Sequence, residues 1–453
     1  MAADSHSIDM LHGPLAGKLV LFALPLAATS LLQQLFNSAD AAVAGHFLGE
    51  RALAAISNMG PIVNMIVSLF VGLAIGATFT VARHVALEQA QQVDDTVHTG
   101  MAVSLISGVV VLAVGVSCAP LILRAMGTPA DVIGLAITYL RTYFLGAPLL
   151  LVYNFGAAIL RGKGDTMRPL FVLALGCALN LALDLLFVRV LGLGIGGLAA
   201  ASAAGYGVAG AIVVWLLCRE QGMLHLDLRR LRICKAPLLT ILRIGVPAGL
   251  QGAIFAFSNV IIQSAINGFG ADAMAGSVAA NNFEAYSFYV VNSFGQAAVT
   301  FTSQNFAAED RRRCRRVFGL CLLLSTCVML SVDLTFLAFN RQLLGVFTDS
   351  EAALGFATTR MFHVLTCQVL VNSYEIPAST MRGMGWSTLP TLVVIFGTCV
   401  LHVAWIFAML PQVGTFEWLL AAYPVSWILT GCVMLPTYFL VRRREFRKMG
   451  EEA

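Results

Sequence analysis

Apolar runs of twenty or more residues recur along nearly the whole chain, and this pattern restricts the possible folds more than any motif. A bilayer span needs about 20 mostly apolar residues. Twelve such runs lie near 15–45, 53–82, 97–118, 131–160, 167–190, 195–218, 238–267, 272–304, 317–338, 351–380, 387–410 and 417–441. Hydrophobic residues make up 58% of 453 positions and charged residues 11%, roughly half the charge of an ordinary soluble domain. A soluble chain this apolar cannot cover its own surface, whereas lipid removes the requirement. The expected fold is therefore all-α and integral to a membrane. Several runs are long enough to tilt or bend. Pro25 and Pro247 lie inside the first and seventh, where neighbouring helices can satisfy the backbone groups that proline frees.

Lys and Arg in the loops set the orientation. With both termini inside, twenty-two of the 28 Lys and Arg residues fall in cytoplasmic segments, including the clusters at 229–235, 311–316 and 442–448. The opposite loops hold only Arg51, Arg124, Arg189 and Arg341, and Arg141 and Arg360 fall within spans. A net charge of +4 is too small to imply a nucleic-acid partner. The ten cysteines form no CxxC pair and mostly sit in apolar runs, as small hydrophobes do. Asp4 and Asp9 replace the basic n-region of a cleavable signal, so none is expected.

An internal repeat organises the runs. Pro25 aligns with Pro247, Asn37 with Asn259, and Thr78-Phe79-Thr80 with Thr300-Phe301-Thr302, all at an offset of 222. Arg161-Gly162-Lys163-Gly164 recurs as Arg382-Gly383-Met384-Gly385 at 221, and Pro169 is matched by Pro390. Each half holds six spans, an even number, so both insert with the same orientation. The expectation is twelve transmembrane helices in two six-helix bundles, a parallel repeat with a substrate path between them. The expected limits are 1–220 for the N-terminal lobe, 221–237 for a cytoplasmic linker, and 238–453 for the C-terminal lobe with its basic tail.

Soluble chemistry finds little support. Gly192-x-Gly194-x-x-Gly197 satisfies the dinucleotide pattern, but it joins two apolar helices and follows no strand, so it reads as a tight loop. No Walker A, HExxH or GxSxG sequence occurs, which removes the usual signs of ATP hydrolysis and hydrolase chemistry. Neither His363 nor His402 has an obvious partner cluster. The reading is a non-enzyme without cofactor or metal, driven by an ion gradient.

Acidic groups inside spans carry the functional signal, because each costs roughly 2.5–3.5 kcal/mol or more at the bilayer centre. Gln33, Asn37 and Asp40 fall at about 0°, 40° and 340° around a helix and form one polar stripe. Asn180 and Asp184 are four apart and share a face. Asp184 stands roughly 27 Å up its helix from Thr166, and Asp40 also belongs to the outer half. Two carboxylates and two amides are thus expected to converge in the N-terminal bundle. The second half offers Glu284 and Glu375, with Asn259, Asn292 and Gln296 as possible associates; Ile262 stands where Asp40 would repeat. Structural pairing and function weigh evenly for Glu284 and Glu375. Asp333 reads as a solvated residue near a helix end. The 28 Phe and 16 Met are mostly lipid-facing or core.

Leu32-Gln33-Gln34-Leu35-Phe36-Asn37-Ser38-Ala39-Asp40, Gly45-His46-Phe47-Leu48-Gly49, Tyr153-Asn154-Phe155-Gly156-Ala157-Ala158-Ile159-Leu160-Arg161-Gly162, Gly164-Asp165-Thr166 and Asn292-Ser293-Phe294-Gly295-Gln296-Ala297 together carry a resemblance. Over nearly its full length the chain resembles the MATE (multidrug and toxic compound extrusion) family, especially its DinF-like branch. The resemblance implies antiport of H⁺ or Na⁺ against small organic, often cationic, compounds. It also implies an N-lobe polar network mapping onto Asp40, Asn180, Asp184, Asn154 and Tyr139, with Ser202 where a hydroxyl is common, and a bend point at Pro25. Gln33, Gln34, Asn37, Asn259, Asn292 and Gln296 are candidates for a substrate cavity. The second loop copy departs from the pattern, with Trp386 in place of Asp165. A lipid or glycolipid flippase of the related superfamily is the alternative; it would favour a cationic cavity, and few basic residues lie within spans. The expected partners are a small-molecule substrate and the lipid bilayer, and the expected state is a monomer. The expected location is a plasma membrane, the inner one in a Gram-negative bacterium.

Topology is directly testable. In a cysteine-free variant, single cysteines replacing Leu228 and Gly345 are expected to react with an impermeant reagent from opposite sides of the membrane. Labelling of both from outside would overturn the orientation.

Overall fold

The computed structural model describes residues 7–125, 132–348 and 350–451, with no β-strand among them. In chain order the helices are α1 (Leu15–Val43), α2 (Glu50–Ala86), α3 (Ala90–Ala125), α4 (Ile133–Leu145), α5 (Ala147–Lys163), α6 (Met167–Leu185), α7 (Gly194–Arg219), α8 (Lys235–Asn267), α9 (Ala271–Ala307) and α10 (Arg311–Ala338). They continue as α11 (Asn340–Leu344), α12 (Glu351–Gln368), α13 (Asn372–Gly383), α14 (Thr388–Val394), α15 (Leu401–Ala408), α16 (Leu410–Val413), α17 (Phe416–Leu420) and α18 (Ala422–Glu451). π-helical turns extend α1, α6 and α14 at Ala44–Leu48, Leu186–Val190 and Ile395–Val400. Gly192 and Gly194 both take positive φ, +64° and +63°, so the GxGxxG stretch is a tight connection between α6 and α7.

Ten helices among the described residues are long and apolar enough to span a bilayer. The pair α4–α5, bent by 44° at Gly146, makes an eleventh. The twelfth expected run, 272–304, lies in α9, which is 37 residues long. It falls outside that apolar set because Asn281, Asn282, Glu284, Asn292, Gln296, Gln304 and Asn305 all lie along it.

Two compact units form. The first comprises Met1–Asp9 and Ala28–Gly249, and the second comprises Met10–Ala27 and Leu250–Ala453. The divisions within α1 and α8 each fall two residues past a proline, Pro25 and Pro247. The opening turns of these helices therefore belong with the other half of the chain. In the second unit Arg313 holds the segment before α1. Its Nε, Nη1 and Nη2 donate to the carbonyls of Met10, Gly13 and His12 at 3.1, 3.0 and 2.9 Å. Phe22 meets Phe301 edge-on at 5.5 Å.

The repeat has a packing reason. In the first unit a Cβ on Gly162 would stand 2.8 Å from Val81 Cβ and 3.0 Å from Thr78 O. In the second, one on Gly383 would stand 2.7 Å from Thr302 Cβ and 2.8 Å from Val299 O. The Arg-Gly turn of one helix thus presses on the Thr-Phe-Thr stretch of another in both units, and the two motifs recur because they are one contact. The hydroxyls of Thr78 and Thr300 also bond back to carbonyls four residues earlier, Ala74 O at 3.2 Å and Gln296 O at 2.9 Å. In the first unit α5 is central and buries Tyr153, Phe155, Ile159 and Leu160 completely. In the second, Phe283 of α9 lies in a cluster with Leu344, Met361 and Leu365.

Close backbone approach also joins α2 to the opening turns of α8. A Cβ on Gly76 would lie 2.3 Å from Ile241 O, a backbone atom that cannot swing away. Gly76→Val is expected to force the helices apart at a cost of about 1–3 kcal/mol. Gly134, with nothing within 4 Å of its Cβ position, should accept alanine without loss. Melting of both purified variants checks the contrast.

Candidate functional site

The polar centre of the first unit is assembled by small residues. A Cβ on Gly205 of α7 would stand 2.9 Å from Gly176 O and 3.1 Å from Asn180 Cβ of α6. Only a glycine there lets the two helices close enough for Asn180 and Ser202 to meet. Ser202 Oγ donates to Asp40 Oδ2 at 2.6 Å. Asn180 Nδ2 donates to Asp40 Oδ1 and to Ser202 Oγ, each at 3.4 Å. Asp40 is 3% exposed, and Asn180, Ser202 and Asp184 are at most 1% exposed.

Asp184 lies beside Asp40, close enough for their charges to interact directly. Among the described residues no N–H or hydroxyl donor reaches its carboxylate oxygens, and Asn180 Oδ1 is also unmet. Tyr139 is within electrostatic reach of both carboxylates and Tyr143 of Asp40. These two tyrosines sit one turn apart on α4 with rings stacked at 6.2 Å. A cavity of about 10 Å³, lined in part by Ser202, Tyr143 and Tyr206, has room for a single water molecule. Both acid-bearing helices end in π-helical turns just beyond the acids, a local form often found at functional sites. Arg189 in one turn lies 5.9 Å over the Phe47 ring in the other. Chemically, the centre is a buried set of oxygen acceptors whose two acids make no ion pair with a cationic side chain among the described residues.

The sequence-selected residues divide here. Asp40, Asp184, Asn180 and Ser202 come together, with Tyr139 beside them. Asn154 turns back to its own helix and donates to Leu150 O at 2.9 Å. Along the expected stripe of α1, Asp40 is buried, Gln33 half-buried and Asn37 exposed; Gln34 is half-buried. Tyr143 and Tyr206 escaped the sequence reading. The four-residue spacing from Tyr139 was the available signal for Tyr143; Tyr206, stacked on Phe36 at 4.7 Å, resembles any core aromatic.

A second charged group sits at the α5–α6 turn, where Gly164 takes φ +112°. Asp165 accepts from Arg168, which also reaches Glu220 at 2.8 Å; Lys163 reaches Glu220 at 2.5 Å. Burial works to raise the Glu220 carboxyl, but the hydrogen bonds from Arg168 and Lys163 outweigh it and hold it below its ordinary value. The stabilisation from this bridge is therefore full at neutral pH and is lost only as pH falls below the ordinary glutamate range. In the repeat copy Trp386 replaces the acid, and the Arg444 guanidinium lies 5.4 Å over its ring.

The second unit pairs its acids. Glu284 receives two hydrogen bonds from Arg360, Nε to Oε1 at 2.6 Å and Nη2 to Oε2 at 2.8 Å. Glu375 accepts from Gln251 Nε2 at 3.1 Å, and Gln251 Oε1 accepts from Arg382 at 2.5 Å. Asn292 is exposed and accepts from Gln296 at 3.2 Å; Asn259 is also exposed. Asp333 corrects the reading of a solvated residue. It is 2% exposed, faces Ser287 and forms no ion pair among the described residues, and α10 continues past it to Ala338. His402 is buried and meets Ser426 Oγ at 2.8 Å, and His363 bonds to Thr359 O of its own helix.

The MatE family model matches residues 25–186 and 247–407, once in each half and at the offset read from the sequence. A probable multidrug resistance protein, YoeA of Bacillus subtilis (strain 168), is 27% identical over 83% of this chain and 83% of its own length. YpnP of the same organism, also a probable multidrug resistance protein, is 31% identical over 67% of this chain and 68% of its own. A FAD transporter of Shewanella oneidensis is 25% identical over 97% of each chain. Among solved structures, an outward-facing multidrug resistance MATE family transporter superposes with a TM-score of 0.88 at 22% identity, covering 99% of both chains.

The Glu284–Arg360 pair makes a quantitative test. Arg360→Met leaves a buried carboxylate unpaired and is expected to cost about 3–5 kcal/mol. The double variant Arg360→Met/Glu284→Gln should recover most of that loss. Thermal melting of the three proteins in one detergent checks the non-additivity.

Proposed function

Because this multi-pass membrane protein belongs to the MATE family, we propose that Asp40 and Asp184 carry the coupling ion of its multidrug efflux. The protein is a secondary antiporter that exports small amphipathic or cationic organic compounds. The observation that carries the site assignment is the side-by-side burial of two carboxylates without a cationic partner. Two such groups in a low dielectric resist ionising together. A shared proton, or a Na⁺ held by the same oxygens with Asn180, relieves that repulsion. Loss of the ion leaves charge that the closed arrangement solvates poorly, so occupancy biases the equilibrium between helix arrangements. Ser202 and Asn180 orient Asp40, and Tyr139 and Tyr143 present a polar wall to the pair.

Pro25, two residues before the division of α1 between the units, lacks one helical hydrogen bond and supplies the bend point through which α1 reshapes the region beside Asp40. One proton moving down one pH unit and 100 mV releases roughly 1.4 + 2.3 kcal/mol, enough to concentrate a neutral substrate several hundred-fold. We place the protein in a plasma membrane with both termini cytoplasmic, in keeping with the Lys and Arg bias. The flippase alternative is not favoured, since Arg360 within a span is neutralised by Glu284 rather than offered to a phosphate.

Asp40→Asn keeps the shape of the site and removes its charge. Uphill efflux from proteoliposomes under separately imposed H⁺ and Na⁺ gradients is expected to fall to the leak rate, with melting and membrane insertion unchanged. Asp184→Asn should do the same or shift the pH optimum, and Glu375→Gln should retain most activity. Normal uphill transport by both aspartate variants would sink the assignment and turn attention to the acids of the second unit.

A further inference from the structure

A groove of about 400 Å³ opens between α14 with its π-helical turn and α18, lined by residues that include Leu392, Phe396, Gly397, Leu429, Thr430 and Val433. Phe396 is 64% exposed and Val433 55%, so its walls are apolar and open on one side. The depth comes from Gly397, where a Cβ would stand 2.5 Å from Thr430 Oγ1. The hydroxyl on the floor is already engaged, since Thr430 donates to Ser426 O at 2.6 Å and meets Thr398 at 3.2 Å. The groove therefore presents hydrocarbon and no unmet polar group at Thr430.

Both walls lead to the same cationic end. On α18, Leu429, Val433, Leu440, Arg444 and Arg447 fall within about 60° of one another around the helix axis. The other wall runs back from Leu392 through the start of α14 to Trp386, and Arg444 lies 5.4 Å over that ring. Arg443, Arg444 and Arg447 are exposed and form no ion pair among the described residues, whereas Lys448 is paired to Glu445 at 2.8 Å. Val433 is about 16 Å along the helix from Arg444, close to half of the roughly 30 Å hydrocarbon core of a bilayer.

We propose that this face of the second unit binds one anionic glycerophospholipid, with an acyl chain in the groove and the phosphate held by Arg444 and Arg447. The arginine cluster supplies the charge complementarity, and its distance from the groove along α18 matches one leaflet. Arg444 is oriented by Trp386, so the headgroup end is partly preformed. A zwitterionic lipid fills the same groove but gains less from the two guanidinium groups. The site is separate from the acids of the first unit and does not depend on how ions are coupled.

Native mass spectrometry of the full chain in detergent, titrated with phosphatidylglycerol or with phosphatidylcholine of the same acyl chains, tests the proposal. Phosphatidylglycerol is expected to bind tighter. Arg444→Gln/Arg447→Gln should weaken it about five-fold per arginine and leave phosphatidylcholine nearly unchanged. Val433→Trp should weaken both lipids, and Leu392→Trp on the opposite wall reads the same effect should the first variant melt early. Arg229→Gln, an exposed arginine of the other unit, should change neither. Equal binding of the two lipids, or no effect of the arginine pair, overturns the proposal. So does competition by glycerol phosphate as strong as by phosphatidylglycerol, because the groove would then contribute nothing.

Discussion

Inside hydrocarbon a backbone N–H or C=O cannot turn to water, and the rest of this structure follows from that constraint. Each apolar run closes its own hydrogen bonds as a helix. Helix association then has to come from close packing and polar contact, since lipid is as apolar as the side chains. Gly76 against Ile241, Gly205 against Gly176 and Gly383 against Thr302 are the places where backbones approach. The helices stop being regular where polar chemistry gathers, as in the π-helical turns that follow Asp40 and Asp184.

The two units answer one repeat with different electrostatics. In the first, Asp40 and Asp184 are sealed together with hydroxyl and amide neighbours and, among the described residues, no cationic side chain bonded to them. In the second, Glu284 is locked bidentately by Arg360, and Glu375 is linked to Arg382 through Gln251. A charge already neutralised by a fixed guanidinium has little to gain from a mobile ion, whereas an unpaired one has much. This difference supports the proposal that the first unit carries the coupling role. Asp333 is the exception in the second, buried against Ser287 and in no ion pair among the described residues. The aligned turns diverge in the same way, with Asp165 paired to Arg168 in one and Trp386 stacked under Arg444 in the other.

Hydropathy, charge bias and one recurring offset were enough to read the helical class, the candidate spans and the duplication, because lipid makes helix the only economical reading of a long apolar run. Asp40, Asn180 and Asp184 were equally legible, since a polar residue in such a run carries a cost that asks for a reason. The stripe on α1 was legible only in part: 3.6-residue periodicity puts Asn37 and Asp40 on one face but cannot say where burial ends on it. Asn154 could not be placed from sequence either, since its amide donates to a carbonyl of its own helix, Leu150 O.

What only the tertiary structure decided are contacts across long stretches of chain between residues that look ordinary alone. Ser202, singled out in sequence only through the family resemblance, lies in a Gly- and Ala-rich helix and in the fold donates to an acid 162 positions away. Arg360 looked like a stray charge until Glu284, 76 positions earlier, closed on it. Asp333 was placed in solvent because it stands near a helix end, yet it is buried against Ser287 of another helix. The sequence by itself determined which residues could not remain in lipid without help. The fold determined which of them received it, because that depends on which helix faces meet, and helix pairing is not encoded in the periodicity of either helix alone.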